Sequence, residues 1–181
     1  MKKYIVMLLV ITCMTILPAC SEDTGNTCTT ETNPENYSVP AEKLSGEPPV
    51  LTVICGDKSV NALSGNYEWE LYDGGELDSA AIACGVHPLQ CKDITPVLNV
   101  PGGSTVSLTF GDAPLPGRLN VTCYDAADWD NMDAPGHMLD IMESAPPQIR
   151  LAKSAAIYVV NAEWNSEAGY GGSAEYSFCT E

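Results

Sequence analysis

Cys84, His87 and Cys91 stand at a C-x2-H-x3-C spacing, and two thiolates with an imidazole between them form a ligand set that zinc accepts. In an oxidising compartment the same cysteines lose their thiolates to each other. The spacing therefore predicts a Cys84–Cys91 disulfide closing a small loop, with His87 beside Pro88 as a loop residue. Further along, Asp125, Asp128, Asp130, Asn131 and Asp133 place five oxygen-bearing side chains within nine residues. Hard oxygen donors on a loop suit Ca2+. The run lacks the central glycine and closing glutamate of an EF-hand, so a solvated acidic loop is expected, with Ca2+ at Asp125, Asp128, Asp130 and Asp133 as the alternative. Trp129 interrupts these carboxylates, either as a plug of the core or as an exposed contact anchor. Tyr170, within Gly169-Tyr170-Gly171-Gly172, is the second candidate for a binding tip, on what reads as a hairpin loop.

For nucleophilic catalysis the chain offers His87 and His137 as its only histidine bases. Gly102-Gly103-Ser104-Thr105-Val106 misses the nucleophile elbow at Val106. HExxH is absent, and the glycine runs have neither the P-loop lysine nor dinucleotide spacing. Glu68 and Glu70 decorate the wet face of a strand. The expectation is a protein that is not an enzyme and needs no cofactor unless Ca2+ binds.

The first 19 residues read as a secretory signal: Lys2 and Lys3, an apolar run from Tyr4 to Ile16, then small Ala19. The run is shorter than the ~20 residues that cross a bilayer. Leu17-Pro18-Ala19-Cys20 resembles the lipobox of bacterial lipoproteins. That likeness implies a diacylglycerol thioether on Cys20, and two acyl chains hold a protein stably on a membrane. The location expected is the extracytoplasmic face of the cell membrane. The chain carries 8 Lys and Arg against 24 Asp and Glu, a net charge of -16, and loss of Lys2 and Lys3 deepens it. Nucleic-acid binding is excluded by that charge, since counterion release needs a basic surface.

Cys13 leaves with the signal and Cys20 is taken by lipid, so an even set of six cysteines remains. With Cys84 and Cys91 assigned to each other, three connectivities stay open for the other four. Cys55 with Cys123 is favoured because both are predicted to point inward, which leaves Cys28 with Cys179; a buried free Cys123 is the rival.

Three segments position these residues: a signal peptide over 1–19, a lipid-anchored tether over 20–47, and one domain over 48–181. The tether is rich in Thr, Asn, Glu, Ser and Pro and holds too little apolar surface to offset the entropy of ordering. From Pro48, short runs of β-branched and aromatic residues alternate with Gly, Pro, Asn and Asp. Strands are predicted at Val50–Cys55, Asn66–Tyr72, Ser104–Phe110, Arg118–Tyr124, Met138–Met142, Gln148–Leu151, Ala156–Trp164 and Ser173–Thr180. Glu76 to Thr95 reads as an irregular excursion. The fold class is all-β, an immunoglobulin-like β-sandwich of roughly seven to eight strands, with a closed barrel as alternative.

Pro48-Pro49-Val50-Leu51-Thr52-Val53, Gly65-Asn66-Tyr67-Glu68-Trp69, His87-Pro88-Leu89, Leu119-Asn120-Val121-Thr122-Cys123-Tyr124 and Tyr158 through Trp164 followed by Tyr170-Gly171-Gly172 resemble a family of uncharacterised lipoproteins of Gram-positive bacteria. The likeness runs from Pro48 to the C-terminus and implies a lipoprotein with a single β-domain. The strands from Ala156 to Phe178 are also similar to the last hairpin of immunoglobulin-like domains, including secreted bacterial proteinase inhibitors. Val160 stands where that pattern carries its inter-sheet cysteine. The function expected is a non-catalytic binding module that meets an envelope protein or ligand, touching the membrane through its lipid anchor. A proteinase inhibitor and an extracytoplasmic hydrolase using His87 or His137 are the alternatives.

Overall fold

The computed structural model describes residues 46–166 and 169–181. The signal segment, Cys20 and Cys28 lie outside the described residues, and with them the expectations of lipidation and of a Cys28–Cys179 bond. Eleven strands occur among the described residues: β1 (Thr52–Cys55), β2 (Lys58–Asn61), β3 (Leu63–Asp73), β4 (Glu76–Ala83), β5 (Thr105–Thr109), β6 (Arg118–Asp125), β7 (His137–Met138), β8 (Ile141–Met142), β9 (Gln148–Arg150), β10 (Ala156–Trp164) and β11 (Tyr170–Thr180). They form two antiparallel sheets, a five-stranded one ordered β2-β1-β5-β9-β8 and a six-stranded one ordered β4-β3-β11-β10-β6-β7.

The chain is thus all-β, and the two sheets make a sandwich whose facing sides follow from alternation. Leu51, Val53, Val106, Leu108 and Ile149 come from the five-stranded sheet, and Val121, Tyr158, Val160, Ala162, Tyr176 and Phe178 from the six-stranded one; all are buried in one cluster. A strand count of seven to eight is corrected to eleven. The expected Met138–Met142 strand divides into β7 and β8, one in each sheet, and the two additions, β2 and β4, are edge strands. An edge strand packs weakly on either face, so its sequence carries no alternation to read. Glu76 to Ala83, expected as an irregular excursion, instead forms a hairpin with β3. Gly74 and Gly75 hold φ of 58° and 89° in its turn between the paired Asp73 and Glu76, the succession of positive φ that a two-residue hairpin needs.

Aromatic rings close the sandwich. Phe110, just past β5, meets the Trp164 ring edge-on at 5.2 Å and the Tyr176 ring at 6.0 Å. Trp69 meets Trp164 at 5.3 Å, and Tyr170 stacks on Trp69 at 5.2 Å. The polar tips are mostly satisfied. Trp164 Nε1 donates to the Pro114 carbonyl at 2.9 Å, Tyr176 Oη donates to the Pro49 carbonyl at 2.6 Å, and Tyr158 Oη accepts from Ala152 N at 2.8 Å. Tyr170 Oη is buried with no hydrogen-bond partner among the described residues.

Part of the six-stranded sheet is buried on its outer side as well. Ile157 and Val159 alternate to the side away from the core and are nevertheless buried. The segment after β4 runs alongside β11 there, with Val97 pairing Cys179 in a parallel bridge. Cys179 N donates to the Pro96 carbonyl at 2.9 Å, Leu98 N donates to the Cys179 carbonyl at 2.8 Å, and Leu89 of the same segment is fully buried.

Two tyrosines test this account of the core. Tyr176→Phe strands the Pro49 carbonyl and is expected to cost about 1 kcal/mol, whereas Tyr170→Phe removes an unpaired hydroxyl and is expected to be neutral or stabilising by about 1 kcal/mol, both read by urea unfolding. Burial pushes the Tyr158, Tyr170 and Tyr176 hydroxyls and the Cys123 and Cys179 thiols up. The unfolded chain therefore releases these protons first. Stability should be fully present below about pH 8.5 and fall as pH rises toward the folded-state values, with unfolding free energy measured against pH as the check.

Candidate functional site

The zinc-like cluster does not assemble. His87 caps the short 3-10 turn Pro88–Gln90, and its Nδ1 accepts from Leu89 N at 3.3 Å, so the ring nitrogen serves the backbone. The Cys91 thiol turns back on the His87 carbonyl at 3.6 Å, and Cys84 is exposed at the end of β4. The expected Cys84–Cys91 disulfide is corrected: among the described residues both are free thiols, as are Cys55, Cys123 and Cys179. Cys55 and Cys123 do lie toward the core, but each is a free thiol, and the Cys123 sulfur faces the Tyr124 carbonyl at 3.9 Å. An even number of cysteines gives parity, not proximity.

The acidic loop is likewise shaped by its backbone. Asp125 Oδ1 accepts from Ala127 N at 2.9 Å and caps the turn Ala126–Asp128. Asp130 adopts φ of 68° while its N–H donates to the Leu89 carbonyl at 2.9 Å. Asp125, Asp128, Asp130 and Asp133 do not converge, and among the described residues no three His, Cys, Asp or Glu side chains are grouped to hold a metal. The Ca2+ site is thereby corrected. Trp129 is half-buried where the turn ends, and the expected Tyr170 tip is corrected, since Tyr170 is 5% exposed inside the aromatic cluster. Tyr170 belongs to β11 because the expected loop glycines are strand residues. Gly172, at φ of 123°, lies so close to β3 that a Cβ there would meet the Glu68 carbonyl oxygen at 2.0 Å.

What register does assemble is a polar surface on the outer side of the six-stranded sheet. Opposed residues run Arg118, Glu163, Ser173, Glu68 and Ile82 across β6, β10, β11, β3 and β4. A second row runs Asn120, Asn161 and Glu175, and Asn66 Nδ2 donates to Glu175 Oε1 at 3.0 Å. Asn66 Oδ1 in turn accepts from Gly85 N at 2.7 Å, which fixes the amide. Arg118 lies 3.7 Å from Glu163 at one end of the first row. From β10 to β4 these rows floor an open groove of about 510 Å3, and Ile82, 70% exposed, forms its apolar rim with Cys84 beside it. Alternation marked Glu68 as water-facing, but the cross-strand order that gathers it with Glu163, Ser173 and Glu175 depends on pairings that local pattern does not carry.

A smaller hollow of about 260 Å3 gathers residues singled out separately: Cys123, Asp125, Asp128 and His137. His137 sits on the exposed edge strand β7, directly opposite Cys123.

No family model, curated protein or solved structure matches the chain. The divergent carboxylates of the 125–133 loop carry a direct expectation. Millimolar Ca2+ should leave the melting temperature unchanged in a thermal scan, whereas a bound ion would raise it by linkage.

Proposed function

We propose that the chain is a lipoprotein, anchored through Cys20 on the extracytoplasmic face of the membrane, that works as a non-catalytic binding module. It meets an envelope protein or ligand through the outer side of the six-stranded sheet. The observation that carries this reading is the open groove floored by Glu68, Ser173, Glu175, Asn161 and Glu163 and rimmed by exposed Ile82. Side chains on paired strands are held by the ladder, so they present a preordered set of acceptors and donors, and preordering lowers the entropy cost of association. Ile82 supplies an apolar anchor beside them. Tyr170 cannot serve this role, because its ring is stacked on Trp69 in the core.

The anchor rests on Leu17-Pro18-Ala19-Cys20 and the signal before it. Among the described residues no helix is long and apolar enough to cross a membrane. The finer assignment of the sandwich as immunoglobulin-like is part of the same proposal, supported by the long β10–β11 hairpin at the centre of its sheet.

Binding of the purified full chain to an envelope fraction of the source cells tests the reading. Ile82→Asp and the pair Glu68→Lys with Glu175→Lys are expected to weaken retention at least about tenfold, a loss of roughly 1.4 kcal/mol, with melting temperatures preserved. Trp129→Ala should bind as the parent does. Loss with Trp129→Ala and retention with Ile82→Asp would move the contact to the loop and overturn the assignment.

A further inference from the structure

A row of opposed residues crosses the inner side of the six-stranded sheet and ends at solvent: Phe178, Tyr158, Cys123 and His137, on β11, β10, β6 and β7. Phe178 and Tyr158 stack at 4.7 Å. Next to them the polar members follow, a thiol and then an imidazole. Residues directly opposite on antiparallel strands have Cβ atoms about 4.5–5.5 Å apart, so the Cys123 and His137 side chains are neighbours. Cys123 is 8% exposed, while His137 lies open on the edge strand. Both face the hollow of about 260 Å3, which Asp125, Asp128 and Ser154 also line. Among the described residues no lysine or arginine lines it. The arrangement is that of a nucleophile at the floor, a base at the mouth, and a carboxylate-bearing wall.

We propose that this hollow is a thiol-exchange site for a small cationic disulfide, with His137 carrying the proton. The proposal is independent of the groove on the other side of the sheet. In the exchange, Cys123 Sγ attacks one sulfur of R–S–S–R. The Sγ–S bond forms as the S–S bond breaks. The thiol proton passes to the His137 imidazole and then to the departing thiolate, which leaves as R–SH. Cys123 is oxidised to a mixed disulfide and one half of the reagent is reduced, so no further oxidant is needed. A base is required because burial, and then the Asp125 charge, push the thiol up and keep it protonated at rest. The carboxylates of Asp125 and Asp128 favour a cationic reagent over an anionic one.

Cys179 supplies an internal control. It is equally buried at 8%, and burial pushes its thiol up too. Its sulfur faces the Thr95 carbonyl at 3.9 Å, and the residue opposite it on β10 is Ile157.

The test is a time course of the reduced, folded full chain with cystamine or with dithiodiglycolate, read by peptide mass mapping. With cystamine, Cys123 is expected to be modified at least about tenfold faster than Cys179, and His137→Gln should remove that advantage while leaving Cys179 unchanged. Cystamine should outpace dithiodiglycolate at Cys123, with the ratio shrinking as salt rises. After denaturation the two cysteines should react alike. A Cys123 rate no greater than that of Cys179, a rate indifferent to His137→Gln, or a preference for the dianion would each overturn the proposal.

Discussion

The wedge of Phe110 between Trp164 and Tyr176 is the contact that makes two sheets into one domain. Phe110 belongs to the five-stranded side and its two partners to the six-stranded side, at ring separations of 5.2 and 6.0 Å. Edge-on aromatic contacts are directional, so the wedge fixes how the sheets face each other as well as that they pack. Trp164 then relays the contact to Trp69 and Trp69 to Tyr170. One cluster thereby sets the position of β3, β10 and β11, the strands that also carry the outer groove.

Because the inner side is committed to this core, the outer side of the six-stranded sheet is where sequence is free to specialise, and it does so in two ways along its length. Toward Ile157 and Val159 it is apolar and buried. Toward Asn161 and Glu163, one turn of alternation further along the same strand, it is polar and open. A single strand thus changes its outward partner from protein to solvent. The bulge in the β3–β11 pairing between Ala174 and Tyr176 falls near that change, and Gly65 there admits the Glu175 carboxylate at 2.7 Å from where its own Cβ would stand.

Much of this was legible before the structure, and the reasons for the rest are physical. Tyr158, Val160, Ala162 and Trp164 read as one inward face, and all four are core, because a half-buried strand must alternate. β2 and β4 were illegible, because an edge strand with a wet face has no such constraint. Tyr170 was misplaced because Gly171 and Gly172 signal a turn, whereas here the glycines let β11 approach β3. The disulfides rested on close spacing for Cys84 and Cys91 and on inward direction for Cys55 and Cys123, and neither fixes the distance between two sulfurs. The groove and the thiol–imidazole row were beyond sequence for a shared reason: both are products of register, and register joins Glu163 to Ser173 and Cys123 to His137 across stretches of chain that no local pattern links.

The central claim is that the outer side of the six-stranded sheet, not the acidic loop, meets the partner. Carboxylate footprinting with a water-soluble carbodiimide, on the full chain alone and bound to an envelope fraction, addresses it most directly. Glu68, Glu163 and Glu175 should lose reactivity on binding while Asp125, Asp128 and Asp133 keep theirs. Protection confined to the loop aspartates, or no protection at the three glutamates, would contradict the account.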